Sequence, residues 1–179
     1  MHTSVLDLAT LSVGLLIVRL VVGLLMAAHG SQKLFGWFGG YGITGTGSFL
    51  ETIGFRPGRL FATLAAATEV VSGLLIALGL LGPVGPALML SVMIVAAVSV
   101  HWKNGLFATT NGIELTLAYG TVAVGLALIG FGSYSLDARL GLQSLYNPTW
   151  AIVALAIGAI GGVGNLLARR PVAAAPAQS

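Results

Sequence analysis

The sequence is that of a strongly apolar chain with few charges. Of its 179 residues, 56% are hydrophobic and only 7% are charged, whereas a soluble domain usually carries about 25% charged residues. A chain of this composition cannot cover a water-facing surface, which excludes an ordinary soluble domain. The absence of cysteine excludes disulfides, thiolate metal sites and thiol redox chemistry. The net charge of +3 comes from scattered basic residues, so we expect no nucleic acid to bind.

The first apolar segment is expected to be retained as a helix and not removed as a signal peptide. Residues 1–10 contain no Lys or Arg and therefore lack a positively charged n-region. Arg19 interrupts the apolar stretch, and no small-x-small cleavage site cleanly precedes His29.

Five segments are apolar and long enough to predict transmembrane helices, because a helix needs about 20 mostly apolar residues to cross a bilayer. The run Gly-Pro-Val-Gly-Pro at 82–86 separates the second and third segments and predicts a tight helical hairpin. In the last segment, Gly158 and Gly162 form a small-xxx-small pair that permits close helix contact. We therefore predict an all-α fold, a polytopic helical bundle in a single domain over 1–170, followed by a disordered tail at 171–179. The predicted spans are 11–29, 60–81, 84–100, 113–131 and 149–167.

The long connection at 30–59 is rich in glycine and aromatic residues. Trp37 and Tyr41 belong to the residue types that favour the membrane–water interface. Ser48 and Glu51 match a capping box, which predicts a short helix beginning there. The sequence is compatible with an interfacial helix lying on the bilayer, or with an ordinary loop containing one helical turn.

The distribution of Lys and Arg predicts the orientation in the membrane. With five spans, six of the eight basic residues share one side, and Arg139 lies on the other. Cytoplasmic loops are enriched in Lys and Arg, so we expect a multi-pass protein of the inner (plasma) membrane with its C-terminus in the cytoplasm. The six residues are Lys33, Arg56, Arg59, Lys103, Arg169 and Arg170.

Arg19 and Glu69 lie deep inside the first two predicted spans. A charge within a bilayer is costly unless it is paired or hydrated. Arg19 lies about ten residues from the His29 end of its span and Glu69 about nine from the start of the next, which puts both at a depth of about 13–15 Å. We therefore predict an Arg19–Glu69 ion pair, which is either a buried structural pair or part of a proton path or small transporter.

A second polar group is predicted near the cytoplasmic face, where His29, Lys33, His101, Trp102 and Glu114 converge. Two imidazoles and a carboxylate at one depth can bind a quinone head group or pass protons. No two of these ligands have the short spacing of a metal site, so no metal is predicted. As alternatives, the histidines are satisfied by backbone or water, Lys33 snorkels to the interface, and Glu114 is a first-turn residue favoured by the helix dipole. Lys103, Asn104 and Asn111 accompany the group.

Several separated motifs give the chain a family resemblance. They are HGSQKLFG from His29, EVVSG from Glu69, HWKNGLF from His101, NGIEL from Asn111 and YSLD from Tyr134. Together they resemble the DoxX family of bacterial membrane proteins, over roughly residues 15–140.

The resemblance implies a four-helix membrane core, to which the fifth segment at 149–167 is an addition. Members of the family are linked to redox systems. Relatives include the membrane subunit of an archaeal thiosulfate:quinone oxidoreductase and a mycobacterial protein associated with a superoxide dismutase and a sulfurtransferase. The family's recurring polar positions correspond to His29, Lys33, Glu69, His101 and Glu114.

Two further functions remain open at this point, besides the proton path or small transporter through Arg19 and Glu69. The first is a membrane subunit of a respiratory or redox complex that binds a quinone and has no covalent cofactor. The sequence has no haem-ligand pattern, flavin motif or cysteine, so the quinone or a partner would have to carry the electrons. The second is a non-enzymatic assembly subunit of a larger membrane complex, which the extra helix and the glycine-rich faces favour. Expected partners are the lipid bilayer and other membrane proteins, and a homo-oligomer is also open.

Overall fold

The computed structural model describes residues 8–170, and this part of the chain is helical and contains no β-strand. The predicted all-α bundle is confirmed, whereas the predictions for residues 1–7 and for the tail at 171–179 fall outside the described residues. α4 continues into a π turn at Ala97–His101 and a 3₁₀ turn at Trp102–Asn104. The helices are α1 (Leu8–Phe35), α2 (Gly42–Thr52), α3 (Gly58–Leu78), α4 (Val84–Ala96), α5 (Glu114–Ile129), α6 (Leu136–Leu140) and α7 (Pro148–Leu167).

Four helices among the described residues are long and apolar enough to cross a membrane, namely α1, α3, α7 and α4 with its continuation to Asn104. α5 is apolar but has only 16 residues. At 1.5 Å per residue it is about 24 Å long, less than the hydrocarbon thickness of about 30 Å. It nevertheless packs along α4, and Gly120 lies close to Leu90 and Met93. Four full-length helices and one shorter helix therefore form the bundle.

α1 and α3 pack closely and antiparallel because glycines lie at their contact. A Cβ atom at Gly23 would lie 2.5 Å from the carbonyl oxygen of Gly73, and one at Gly30 would lie 2.7 Å from that of Ala66. Side chains at these positions would force the two backbones apart. The contacts also set the register, since they place the last turns of α1 beside the first half of α3.

α7 runs parallel to α4 and packs chiefly against it. Gly158 contacts Ala87, and a Cβ atom at Gly162 would lie 2.8 Å from the carbonyl oxygen of Ser91. The predicted small-xxx-small pair is therefore confirmed as a close helix contact. The opposite face of α7 is exposed, including Ile157.

The two ends of the bundle differ in charge. At one end of the bundle, α1, α4 and α7 finish and α3 begins, and we call this the basic end. It carries the six basic residues that the sequence analysis predicted to share one side. The end of α7 is tied there, because Arg170 N donates to Gly54 O at 2.8 Å and Arg169 Nε donates to Ile53 O at 3.0 Å. The opposite end is formed by the α3–α4 turn and the segment 130–147.

The connection at 30–59 contains more helix than one turn. α1 continues beyond the predicted end of its span, and α2 has 11 residues, so the alternative of a loop with one helical turn is wrong. The predicted capping box is also wrong. Ser48 lies inside α2 and donates to Thr44 O at 3.0 Å, while Glu51 accepts from Gly58 N at 2.8 Å. The position of α2 on the bilayer stays a prediction.

Candidate functional site

A polar cavity of about 190 Å³ lies near the basic end, between α1, α3, α4 and α5. The polar cavity is lined by four side chains that can carry charge, His29, Lys33, Glu69 and His101. Methionines, other apolar side chains and polar residues of α5 complete its wall. The structure therefore brings three of the predicted binding candidates together and adds Glu69, which the sequence assigned elsewhere.

Lys33 and Glu69 form an ion pair across α1 and α3. The Lys33 ammonium lies 2.5 Å from Oε2 and 2.7 Å from Oε1 of the carboxylate. The Glu69 side chain is 4% exposed and the Lys33 side chain 33%. A buried carboxylate without a partner would be strongly destabilising, and Lys33 supplies that partner. The expectation that Lys33 only snorkels to the interface is therefore wrong.

The predicted Arg19–Glu69 ion pair is wrong. Glu69 lies beside the end of α1, where it meets Lys33, whereas Arg19 lies against Gly79 at the far end of α3. Glu69 and Gly79 are ten residues apart in the sequence, which corresponds to about 15 Å along the helix. The prediction failed because it measured depth from a helix end at residue 29, whereas α1 continues to Phe35.

Arg19 is held by the segment that follows α5. Its side chain is buried, and the guanidinium donates to the carbonyl of Ala77 at 3.3 Å and to that of Tyr134. Asp137 is near enough to interact with it electrostatically. These contacts tie α1 to α3 and to the segment 130–147. Arg19 therefore belongs to a polar network at the opposite end, which has a structural role.

Asp137 is the centre of that network. It is completely buried, and its carboxylate accepts hydrogen bonds from Leu81 N at 2.9 Å, Gly82 N at 2.7 Å and the hydroxyl of Tyr146 at 2.7 Å. Burial raises the pKa of the Tyr146 phenol, and its hydrogen bond to Asp137 raises it further. Asp137 thus satisfies the amides of the tight α3–α4 turn. The motif YSLD contained this residue, but its role was missed.

Hydrogen bonds orient both imidazoles of the polar cavity. His101 Nδ1 lies 2.8 Å from Asn111 O, which can only accept, so Nδ1 carries the proton of the neutral ring. His29 Nδ1 lies 3.1 Å from Gln32 Oε1, and the amide is oriented because Gln32 Nε2 donates to Phe38 O at 3.2 Å. On this assignment, Nε2 of each neutral histidine remains a hydrogen-bond acceptor.

The backbone changes pitch where His101 enters the cavity. The π turn at Ala97–His101 interrupts the regular end of α4, and such turns occur frequently at functional sites. The Glu114 carboxylate accepts a hydrogen bond from Ala108 N at 2.7 Å and so stabilises the loop between α4 and α5. Trp102 is 68% exposed and lines an outer groove. Glu114 and Trp102 therefore lie next to the polar cavity and not in its wall.

Tyr119 and Thr116 of α5 also line the polar cavity, and the sequence analysis missed both. The Tyr119 ring packs edge-on against His29, with 6.2 Å between ring centroids. Residues three apart share a face of a helix. Two polar residues at this spacing in a mostly apolar helix were the signal that could have identified them.

The fold and its long apolar helices define an integral, multi-pass membrane protein whose helices contact the lipid bilayer. A sequence profile of the DoxX family matches residues 14–102. The chain belongs to the DoxX family. The matched region contains His29, Lys33, Glu69 and His101, and it ends before Glu114 and α7. Neither the comparison with curated proteins nor that with solved structures gives a match.

Proposed function

We propose that this protein is an integral membrane subunit of a respiratory or redox system, and that the polar cavity binds the head group of a quinone. The observation that carries the proposal is the convergence of His29, His101 and the Lys33–Glu69 pair on one cavity inside an apolar bundle. Ionisable residues within transmembrane segments are costly, and they commonly line proton relays or ligand sites.

The size of the cavity supports a ligand with one six-membered ring. An engineered apolar cavity of about 150 Å³ in another protein holds benzene. The polar cavity, at about 190 Å³, is slightly larger and offers hydrogen-bonding groups where benzene has none. A benzoquinone ring with its two oxygens fits this combination of volume and polarity.

The hydrogen-bonding groups suit both redox forms of a quinone. Nε2 of a neutral histidine accepts from a quinol hydroxyl, and the same atom donates to a quinone carbonyl when the ring is protonated. Reduction of a quinone takes two electrons and two protons, one proton on each oxygen. The electrons would come from a partner subunit that carries a redox group. The protons would come through the histidines and Lys33, whose side chain is 33% exposed at the basic end.

Bound quinone can be tested directly. We expect the protein purified in mild detergent to yield stoichiometric quinone on solvent extraction, and His29→Ala and His101→Ala to lose it. Gln143→Ala, an exposed position at the opposite end, is the matched control and should retain it. A wild-type protein without quinone, or histidine variants that retain the wild-type amount, would contradict the proposal.

The orientation is part of the same proposal. The basic end should face the cytoplasm, because cytoplasmic loops are enriched in Lys and Arg. Since the chain contains no cysteine, single cysteines can be labelled without background. We expect Thr109→Cys, at the basic end, to be protected from a membrane-impermeant thiol reagent in intact cells, and Ser144→Cys, at the opposite end, to react. The reverse pattern would invert the orientation.

A role as a non-enzymatic assembly subunit is the second candidate. α7 lies mostly outside the bundle, since only 11% of its span is buried, and it is the helix best placed to meet a partner. Deletion of 149–167 should then break a co-purifying complex while His29→Ala and His101→Ala leave it intact. A complex that survives the deletion would argue against this role.

A further inference from the structure

An apolar groove of about 400 Å³ runs along the outside of the bundle between α4 and α5. We call it the α4–α5 groove. Leu90 and Ile94 of α4 and Leu117 and Val124 of α5 form much of its wall, and Trp102 lies at one end. The groove is open to the surroundings of the bundle, where lipid would lie.

The α4–α5 groove adjoins the polar cavity. Met93 and Thr116 line both spaces. Methionine is unbranched and flexible, so its side chain can turn aside more easily than that of a branched residue. The Thr116 hydroxyl donates to Ile113 O at 2.8 Å, so this polar group is already satisfied. Met93 and Thr116 therefore form the boundary between cavity and groove, and Met93 is the side chain that can turn aside for an apolar chain.

A second groove also meets the polar cavity, but its chemistry differs. It has a volume of about 520 Å³, shares Lys33 with the cavity, and includes Gln32, Tyr41 and Thr46. It lies under α2 at the basic end. Of these two neighbouring spaces, the α4–α5 groove is the more apolar and therefore the better match for a hydrocarbon chain.

We infer that the α4–α5 groove holds the hydrocarbon chain of the same quinone whose ring occupies the polar cavity, and that the ligand enters sideways from the bilayer between α4 and α5. This inference rests on the proposed function. It assigns the groove to an isoprenoid or alkyl chain attached to a ring, and it makes Met93 and Thr116 the point at which ring and chain join. A separate phospholipid in the groove is the outcome that would replace it.

Gly120 provides the means to test the assignment. It lines the groove, and a Cβ atom there would lie 3.9 Å from Leu90 and Met93, an ordinary contact distance. A leucine at this position would therefore project further into the groove while its first carbon fits. Gly125 lies on the same helix outside the groove, and a Cβ atom there meets nothing within 4 Å. Gly125→Leu is accordingly the matched control.

The experiment compares two probes in purified, quinone-stripped protein, namely a benzoquinone with a decyl chain and the same benzoquinone without it. We expect Gly120→Leu to weaken binding of the decyl probe by on the order of tenfold or more, through loss of chain contacts. Binding of the chain-less probe should remain at the wild-type level. Gly125→Leu should bind both probes as the wild type does. If Gly120→Leu fails to fold, Thr121→Phe, at an exposed position in the same groove, takes its place with the same expectation.

The outcomes separate the inference from the proposed function. If the wild type binds neither probe, the proposed function fails and the inference fails with it. If the wild type binds both and the groove variants leave the decyl probe unaffected, the cavity binds quinone but the α4–α5 groove does not hold its chain. A phospholipid that co-purifies with the wild type, is lost in Gly120→Leu and leaves decyl-probe binding unchanged would assign the groove to lipid and overturn the inference.

Discussion

The ammonium of Lys33 lies 2.5 Å from Oε2 of Glu69, and this ion pair lies where the polar cavity meets the groove under α2. Both side chains line the polar cavity, and Lys33 also lines the groove under α2. The carboxylate is buried while a third of the lysine side chain is exposed. The pair therefore lies on a direct line between the cavity and the surface of the basic end.

Loss of Lys33 should destabilise the fold, because it leaves the Glu69 carboxylate buried without a partner. For Lys33→Ala we expect a loss on the order of 2 kcal/mol, less than the roughly 3–5 kcal/mol of fully buried pairs, since water screens the exposed part of Lys33. Lys33→Ala/Glu69→Ala should lose less than the sum of the two single changes. Thermal unfolding of the four proteins in one detergent measures this coupling.

Arg19 provides the control for that cycle. Arg19 and Glu69 are separated by about 15 Å along the bundle. The stability effects of substitutions at sites this far apart are additive within about 0.5 kcal/mol. We therefore expect Arg19→Ala and Glu69→Ala to be additive. Additivity between Lys33 and Glu69, or clear coupling between Arg19 and Glu69, would contradict the ion pair described here.

The hydropathy of the sequence was enough to predict the bundle, because five apolar segments of sufficient length leave few other folds. It could not predict which charges meet. The partner of Glu69 depends on the register of α1 against α3, which is set by the close approach of Gly23 to Gly73 and of Gly30 to Ala66. The partner of Glu69 also depends on the continuation of α1 through the polar residues after His29. A pattern of apolar residues does not predict this continuation. The partner of Glu69 was therefore predicted to be Arg19, whereas in the structure it is Lys33.

The candidate site was predicted only in part, and the reason is related. His29, Lys33 and His101 could be grouped because they follow apolar segments that end at the same side of the membrane. Asp137 could not be placed, since the segment 130–147 reads as a surface loop. In the structure this segment returns against α1 and buries Asp137. Such a return is a long-range contact that no local pattern encodes.

Glu114 should act on the loop after α4 and not on a bound ligand. Glu114→Ala removes the acceptor for Ala108 N–H, and we expect a loss of about 1 kcal/mol in stability and faster hydrogen exchange at that amide. Glu114→Gln keeps a carbonyl acceptor and should retain most of the protection. Hydrogen exchange by mass spectrometry measures both. Unchanged exchange at Ala108 in Glu114→Ala would show that the bond is not formed in solution.

The contact between α4 and α7 should depend on Gly162. A Cβ atom there would lie 2.8 Å from the carbonyl oxygen of Ser91, so Gly162→Leu must push the two helices apart, at a cost of about 1–3 kcal/mol. Gly164→Leu lies two residues away, where a Cβ atom meets nothing within 4 Å, and should leave the stability near that of the wild type. Thermal unfolding compares the two variants, and equal stabilities would contradict the close α4–α7 contact.

The network at the opposite end should make the protein sensitive to alkaline pH through Tyr146. Burial and the hydrogen bond to Asp137 raise the pKa of this phenol in the folded state, whereas an unfolded tyrosine has a pKa of about 10. The stabilisation due to Tyr146 is therefore fully present below about pH 10 and decreases as the pH rises toward the folded-state pKa.

Tyr146→Phe isolates this contribution. The variant loses one hydrogen bond to Asp137, so it should be about 1 kcal/mol less stable than the wild type at neutral pH. Above about pH 10 this difference should shrink, because only the wild type still carries the phenol at position 146. The remaining tyrosines are common to both proteins and cancel in the comparison. Unfolding free energies measured in detergent from neutral to strongly alkaline pH provide the test, and a difference that stays constant with pH would mean that Tyr146 ionises as easily in the folded protein as in the unfolded chain.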